Sequence, residues 1–283
     1  MLNDYGLNPA IAGSTRGWNI LMGRRAQWRG FAFAPETNFI SVTKEFGKKS
    51  YKHYWHGVGA YIEQDKFGVF ENKVGYGSYS LHLKLVRKYY LSFGVAVGVK
   101  QVNISNVIID NSNTPDPALV LKDESILLYP DIIPGLYFYS SKLSVSVSVR
   151  NIYKNTLTAS SKLDPTAYIT VSKKIVSSGY DFVFIPAIHV QSTFSDLPFL
   201  HFNYMAYYRK RVGLGLTYRL HDAVSAVLQV RVFSNLVIGF AYDYTISKFH
   251  SANANSTEFM MGFSPLMNYE TRNNVAECPK FEY

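Results

Sequence analysis

Seven histidines, a single cysteine and a few short glycine patterns are the residues of this 283-residue chain with which chemistry could be done. A phosphate-cradling loop needs its glycines between a strand and a helix. Gly57-Val58-Gly59 and Gly75-Tyr76-Gly77 lie inside alternating strand pattern instead, where glycine serves close packing or open space. In Gly13-Ser14-Thr15-Arg16-Gly17 the serine directly follows the glycine and no helical pattern comes after it, so the segment reads as a turn and not as a nucleophile elbow. His53 and His56, three apart at the head of a strand, point to opposite faces, which argues against a shared metal. Nothing local sets a serine and an acid beside His82, His189, His201 or His221. The run Asp110 to Asp116 has calcium-friendly oxygens but lacks the glycine and terminal glutamate of the twelve-residue calcium loop. Cys278 alone excludes an internal disulfide and a cysteine-rich zinc site. The expectation is therefore a protein with no catalytic residues, no metal and no cofactor.

The elements that must position these residues announce themselves by a period of two. In 143 to 150, Leu143, Val145, Val147 and Val149 alternate with Ser144, Ser146, Ser148 and Arg150. From 89 to 100, Tyr89, Leu91, Phe93, Val95, Val97 and Val99 oppose Tyr90, Ser92, Gly94, Ala96, Gly98 and Lys100. The same division runs through 212 to 219 and 236 to 246. Such segments fall near 17–26, 37–46, 55–64, 74–86, 89–102, 132–140, 143–151, 166–175, 181–193, 198–208, 211–219, 223–232, 235–246 and 257–264. Most approach the ~9–11 residues of a tilted membrane-spanning strand and exceed the ~5–6 of a typical soluble one. One face carries large aliphatics and aromatics, the other Ser, Gly, Thr, Lys, Arg and Asp, which suits lipid outside and a polar lumen inside. No stretch approaches the ~18 consecutive apolar residues of a membrane helix.

The pattern predicts an all-β fold, a transmembrane antiparallel β-barrel of about 14 strands with short periplasmic turns and long extracellular loops. Residues 1–16 are expected to form an N-terminal periplasmic or lumen segment, 17–264 the outer-membrane barrel, and 265–283 a C-terminal tail that either plugs the lumen or meets a periplasmic partner. Connections sort by parity: 27–36, 103–131, 152–165 and 247–256 are long, whereas Arg87-Lys88, Ser141-Lys142 and Arg209-Lys210 are tight. An aromatic share of 16%, with 22 Tyr and 19 Phe, fits girdles at the two interfaces, for which Trp18, Tyr54, Trp55, Tyr89, Tyr90, Tyr207, Tyr208, Tyr242 and Tyr244 are candidates.

Charge sorts by parity too. Lys plus Arg outnumber Asp plus Glu by 29 to 20, a net +9. Lys48, Lys49, Lys52, Arg87, Lys88, Lys173, Lys174, Arg209, Lys210 and Arg211 gather on the short-turn side, as a basic periplasmic rim facing anionic phospholipid or an acidic partner. This placement, with no matching motif, excludes a nucleic-acid stripe. Lumen-facing Lys84, Lys100, Arg150, Arg219, Arg231 and Asp243 are expected to form a polar network that fills the barrel. On the outer side, Trp28, Phe31, Phe33 and Pro35 in the first loop and Leu119, Val120, Leu121 and Ile126 in the longest make an apolar surface that either caps the barrel mouth or binds a partner.

The opening Leu7-Asn8-Pro9-Ala10-Ile11-Ala12-Gly13-Ser14, with Arg24 to Trp28, Gly30-Phe31 and Pro35-Glu36-Thr37, resembles the mature start of the PorP/SprF family of type IX secretion in Bacteroidota. Tyr218 to Ala223, Ile238 to Thr245 and Glu258 to Phe263 are similar to that family's C-terminal strands, and Cys278-Pro279-Lys280-Phe281 to its ending. Glu282-Tyr283 extend past the usual end. The resemblance implies an integral outer-membrane barrel, its signal peptide removed. It further implies a barrel of the gliding and secretion system that binds the C-terminal sorting domain of a large secreted, adhesin-like protein and aids its export or surface anchoring. The type IX translocon or periplasmic components are further partners. A diffusion channel or small-solute transporter is the alternative, and a barrel hydrolase a second rival.

Overall fold

The computed structural model describes residues 3–31, 33–48, 53–86, 89–104, 125–152, 156–158, 161–162, 164–179, 181–194, 196–247 and 255–264. Its strands are β1 (Trp18–Ala26), β2 (Glu36–Phe46), β3 (Tyr54–Phe67), β4 (Phe70–Lys84), β5 (Tyr90–Ile104), β6 (Ser125–Tyr139), β7 (Leu143–Arg150), β8 (Thr156–Thr158), β9 (Ser161–Lys162) and β10 (Thr166–Lys173). After them come β11 (Ile175–Val176), β12 (Phe182–Ser192), β13 (Phe199–Tyr208), β14 (Val212–Arg219), β15 (Ala223–Arg231), β16 (Leu236–Thr245) and β17 (Ser256–Phe263). The short pair β8 and β9 forms its own hairpin, and β11 continues β10 along β12, so fourteen staves make the wall. Each pairs antiparallel with its sequence neighbour. The wall closes where β1 meets β17, from Ile20 opposite Phe263 to Ala26 opposite Thr257.

The alternation explains the closure, because a strand with one face for lipid and one for the interior leaves no edge exposed only when the sheet returns on itself. On β14, Val212, Leu214, Leu216 and Tyr218 are exposed on the outside while Gly213, Gly215, Thr217 and Arg219 are buried inside. The same sorting holds on β5, where Phe93, Val95, Val97 and Val99 face out and Ser92 and Ala96 are buried. Small inward residues leave room for larger ones: a side chain at Gly215 would meet Met205 and one at Gly23 would meet Phe39.

The interior is packed. One buried cluster joins Tyr5, Ile11, Trp55, Tyr61, Tyr76, Ile133 and Tyr137, a second joins Met205, Val227, Ala241 and Met260, and Phe39 packs against both.

Several expectations need correcting. β3 and β4 run to Phe67 and from Phe70 and pair throughout, so the connection expected over 65–73 is a tight turn at Gly68 and Val69. β6 begins at Ser125, not near 132, which puts the Ile126 backbone in a strand and shortens the longest loop to 105–124. Charged and polar residues in Asp65-Lys66 and Glu71-Asn72-Lys73 hide the strand pattern in the first pair, and Pro130 and Asp131 interrupt the apolar run of the second. Trp55 and Tyr90, expected at an interface, lie in the lumen. Trp55 stacks flat on His82 with ring centroids 5.0 Å apart and meets Tyr90 edge-on at 5.4 Å.

Candidate functional site

The candidate side chains fall in three regions of the barrel, of which the lumen is the most constrained. Ahead of β1, a one-turn helix α1 (Asp4–Leu7) and a 3-10 turn (Pro9–Ile11) lie inside the barrel against β3 to β7, with α1 the deeper and Gly13 nearer the periplasmic end. A segment inside a barrel must have its main-chain groups satisfied, and here inward side chains do so. Ser148 donates to Leu7 O (2.8 Å), Ser92 to Ala10 O (2.7 Å), Ser80 to Ala12 O (2.6 Å) and Trp55 Nε1 to Gly13 O (2.9 Å), while Arg150 donates to Gly6 O. His82 Nε2 lies 2.6 Å from Ala12 O, which can only accept, so Nε2 is the donor and Nδ1 meets Tyr139 OH at 3.0 Å. His82 therefore takes part in holding the segment, with Ser80 Oγ 3.2 Å from the same Nε2.

Asn8 holds the centre. It is fully buried; its Nδ2 reaches Leu136 O (3.0 Å), Ser146 Oγ (2.7 Å) and Val147 O (3.2 Å), and its Oδ1 accepts from Ala10 N (2.9 Å). Leu136 and Val147 face each other across β6 and β7, so one side chain spans that seam. Glycines make the floor on which the segment rests. A Cβ at Gly57 would lie 2.0 Å from Ala12 O, at Gly94 2.3 Å from Ala10 N, and at Gly135 1.9 Å from Asn8 Oδ1.

The charged lumen residues divide into groups. Arg219 and Arg25 both donate to Asp243 Oδ2 at 2.9 Å, Arg25 lies 3.7 Å from Glu258, and Arg219 Nε is 2.9 Å from Asp222. On the opposite wall Lys100 pairs with buried Asp131 at 3.0 Å, which also accepts from Tyr76 OH at 2.7 Å. Arg150 forms a third site, against Gly6 of the N-terminal segment and 5.8 Å from the Tyr168 ring. Lys84 is exposed at the periplasmic end of β4, and Arg231 lies near the periplasmic end of β15; neither joins these groups. Sequence reasoning missed Arg25, Asp131, Glu258 and Asn8. Arg25 and Glu258 are directly opposite in the closing register, a cross-strand pair that becomes visible only once β1 is set against β17.

At the outer rim the first loop is pinned on two sides. Gly68 N donates to Phe33 O (3.1 Å), and Arg29 N to Asn255 O (3.0 Å). Trp28 and Phe33 take positive φ, 46° and 60°, a conformation side chains rarely adopt. Trp28, Phe31 and Phe33 are exposed, Phe33 to 64%, and Pro35 is half-buried. Phe67, at the β3–β4 tip to which Phe33 is bonded, is exposed and stacks on Phe70 at 5.4 Å. Phe194, Leu197 and Phe199, which sequence reasoning passed over, add exposed apolar surface between β12 and β13. Leu119, Val120 and Leu121 lie outside the described residues, as does the Ile126 side chain.

At the periplasmic rim, Lys173, Lys174, Arg209, Lys210 and Arg211 lie on adjoining turns, and Lys48 lies apart, 3.8 Å from Glu45 and over the Trp55 ring at 4.6 Å. Lys49, Lys52, Arg87 and Lys88, and the tail 265–283, lie outside the described residues.

Compared with known proteins, residues 1–263 match the family model described as "Type IX secretion system membrane protein PorP/SprF", which stops at the last residue of β17. No relative among curated proteins matches the chain. Among solved structures the chain is similar to the "CymD monoaromatic hydrocarbon channel", with 11% identity, a TM-score of 0.53, and 93% of this chain and 91% of that one covered. It is also similar to the P. putida toluene transporter TodX, with 7% identity, a TM-score of 0.51 and 90% of each chain covered. At these identities the likeness is one of fold.

Proposed function

This chain belongs to the PorP/SprF family of type IX secretion system membrane proteins, as an integral outer-membrane barrel, and on that premise we propose that it binds the C-terminal sorting domain of a secreted surface protein at its outer rim. The observation that carries the proposal is an exposed apolar rim mounted on a filled lumen. Trp28, Phe31, Phe33 and Phe67 offer aromatic anchors of the kind that dominate interfaces, and their backbone is already held by bonds to Gly68 and Asn255. Leu197, exposed to 89%, and its neighbours Phe194 and Phe199 extend the surface to the other side of the mouth.

A diffusion channel, as CymD is described, needs a continuous path through the lumen. The two buried clusters that meet at Phe39, the first of them holding Tyr5 and Ile11 of the N-terminal segment, favour a docking platform over a pore. The role in export or anchoring follows from the same contact: a partner held at the rim stays at the cell surface.

The test is affinity purification of the tagged protein from outer membranes in mild detergent, with mass spectrometry of what remains bound. A large secreted protein recovered through its C-terminal region, and lost from a variant carrying Phe31→Ser and Phe33→Ser, is the expected result. A barrel that comes out alone and conducts ions would replace this reading with the channel.

A further inference from the structure

The turn between β13 and β14 is built from the wrong residues for its geometry. Arg211 N donates to Tyr208 O (3.0 Å), and the two residues between, Arg209 and Lys210, both have positive φ, 46° and 57°. That is the signature of a type I′ turn, for which Asn-Gly is the favoured filling because neither residue then pays for the left-handed region. Two long cations stand there instead. A backbone held off its preferred region is a reason to look for function at the side chains that cause it.

Their surroundings say what that function is. Backbone hydrogen bonds tie adjoining periplasmic turns into one arc: Lys174 N to Lys142 O (2.7 Å), Arg209 N to Asp181 O (2.6 Å) and Arg231 N to Arg211 O (2.7 Å). The arc carries Lys142, Lys173, Lys174, Arg209, Lys210 and Arg211, against which Asp181, 3.0 Å from Arg209 Nε, is the one acid among the described residues of these turns. Directly above, on the lipid face, exposed Ile175, Phe182, Tyr208 and Val212 mark the membrane boundary. Phe182 packs on Tyr208 at 5.0 Å and the Arg209 guanidinium lies over the Tyr208 ring at 5.3 Å. Lys173 sits on the same outward face as Ile169, Val171 and Ile175, near the periplasmic end of that row. Cations attached to the edge of an apolar belt lie at headgroup height, with their stems along lipid and their charges at phosphate.

We infer that this arc, from the β6–β7 turn to the β13–β14 turn, is a binding site for anionic phospholipid headgroups of the periplasmic leaflet.

The experiment uses the full chain in nanodiscs of phosphatidylcholine with and without phosphatidylglycerol, comparing wild type with the double variant Arg209→Asn and Lys210→Gly. In phosphatidylcholine alone the variant should melt at the same temperature as wild type or higher, because Asn-Gly relieves the turn. Its preference for phosphatidylglycerol, read as lipid retained on purification from mixed nanodiscs, should fall roughly tenfold. A merely structural role for the two cations would show the reverse, a lower melting temperature with lipid retention unchanged, and would overturn the assignment. Equal retention together with loss of a co-purifying acidic protein from membranes would assign the arc to a protein partner and overturn it as well.

Discussion

Asn8 shows how much of the barrel's interior hangs on one amide. Its four hydrogen-bonding contacts reach both β6 and β7 and cap the turn that follows it. Asn8→Ala should cost about 2–3 kcal/mol, since it leaves buried acceptors without their donor. A lower temperature for the shift from folded to unfolded band on semi-native gels would measure that loss. Aspartate at the same site would keep the bond to Ala10 but set a buried carboxylate oxygen against two carbonyl oxygens, and should cost at least as much as alanine. The importance of Asn8 was not legible in the sequence. Leu7-Asn8-Pro9-Ala10 looks like an ordinary turn, and its partners are serines and glycines spread over β3 to β7, each unremarkable in its own strand. Only the closed wall brings them to one segment.

At the scale of the strands, reading was far easier. Inward and outward faces of β5, β7, β14 and β16 followed directly from alternation, because a membrane strand has an apolar environment on one side along most of its length. The same reasoning failed at the ends of β3 and β4: charged and polar residues in Asp65-Lys66-Phe67 and Phe70-Glu71-Asn72 hide such a pattern, yet the two pair in full register. It also could not assign partners to inward charges, since Arg25, Arg219, Asp243 and Glu258 come from four strands joined across the closing seam. Asp243 accepts from both arginines with its side chain almost wholly buried. Asp243→Ala should therefore destabilise the barrel by about 3–5 kcal/mol, through two guanidinium groups left without their shared partner. Replacing Arg219 and Asp243 together by leucine should recover part of that loss, with both variants measured by the same thermal shift.

For the molecule as a whole, the filled interior predicts silence in planar bilayers: no conductance steps above background from the full-length wild type at either polarity. Steps in the wild type would mean that the two packed clusters part in the membrane. The closure of the wall has a consequence for how the protein is made. β1 finds its second partner only in β17, far along the chain, while the N-terminal segment rests on β3 to β7, which lie nearer in sequence. Assembly thus has a natural order, in which a curved sheet already holding its own leading segment waits, open at both edges, for the eight residues Ser256–Phe263. Contacts between distant parts of a chain form slowly, and an open sheet edge invites unwanted pairing while it waits. A chain interrupted before Ser256 would stay in that state, with the unpaired edge of β1 available to the machinery that inserts barrels or to the proteases that clear failed ones.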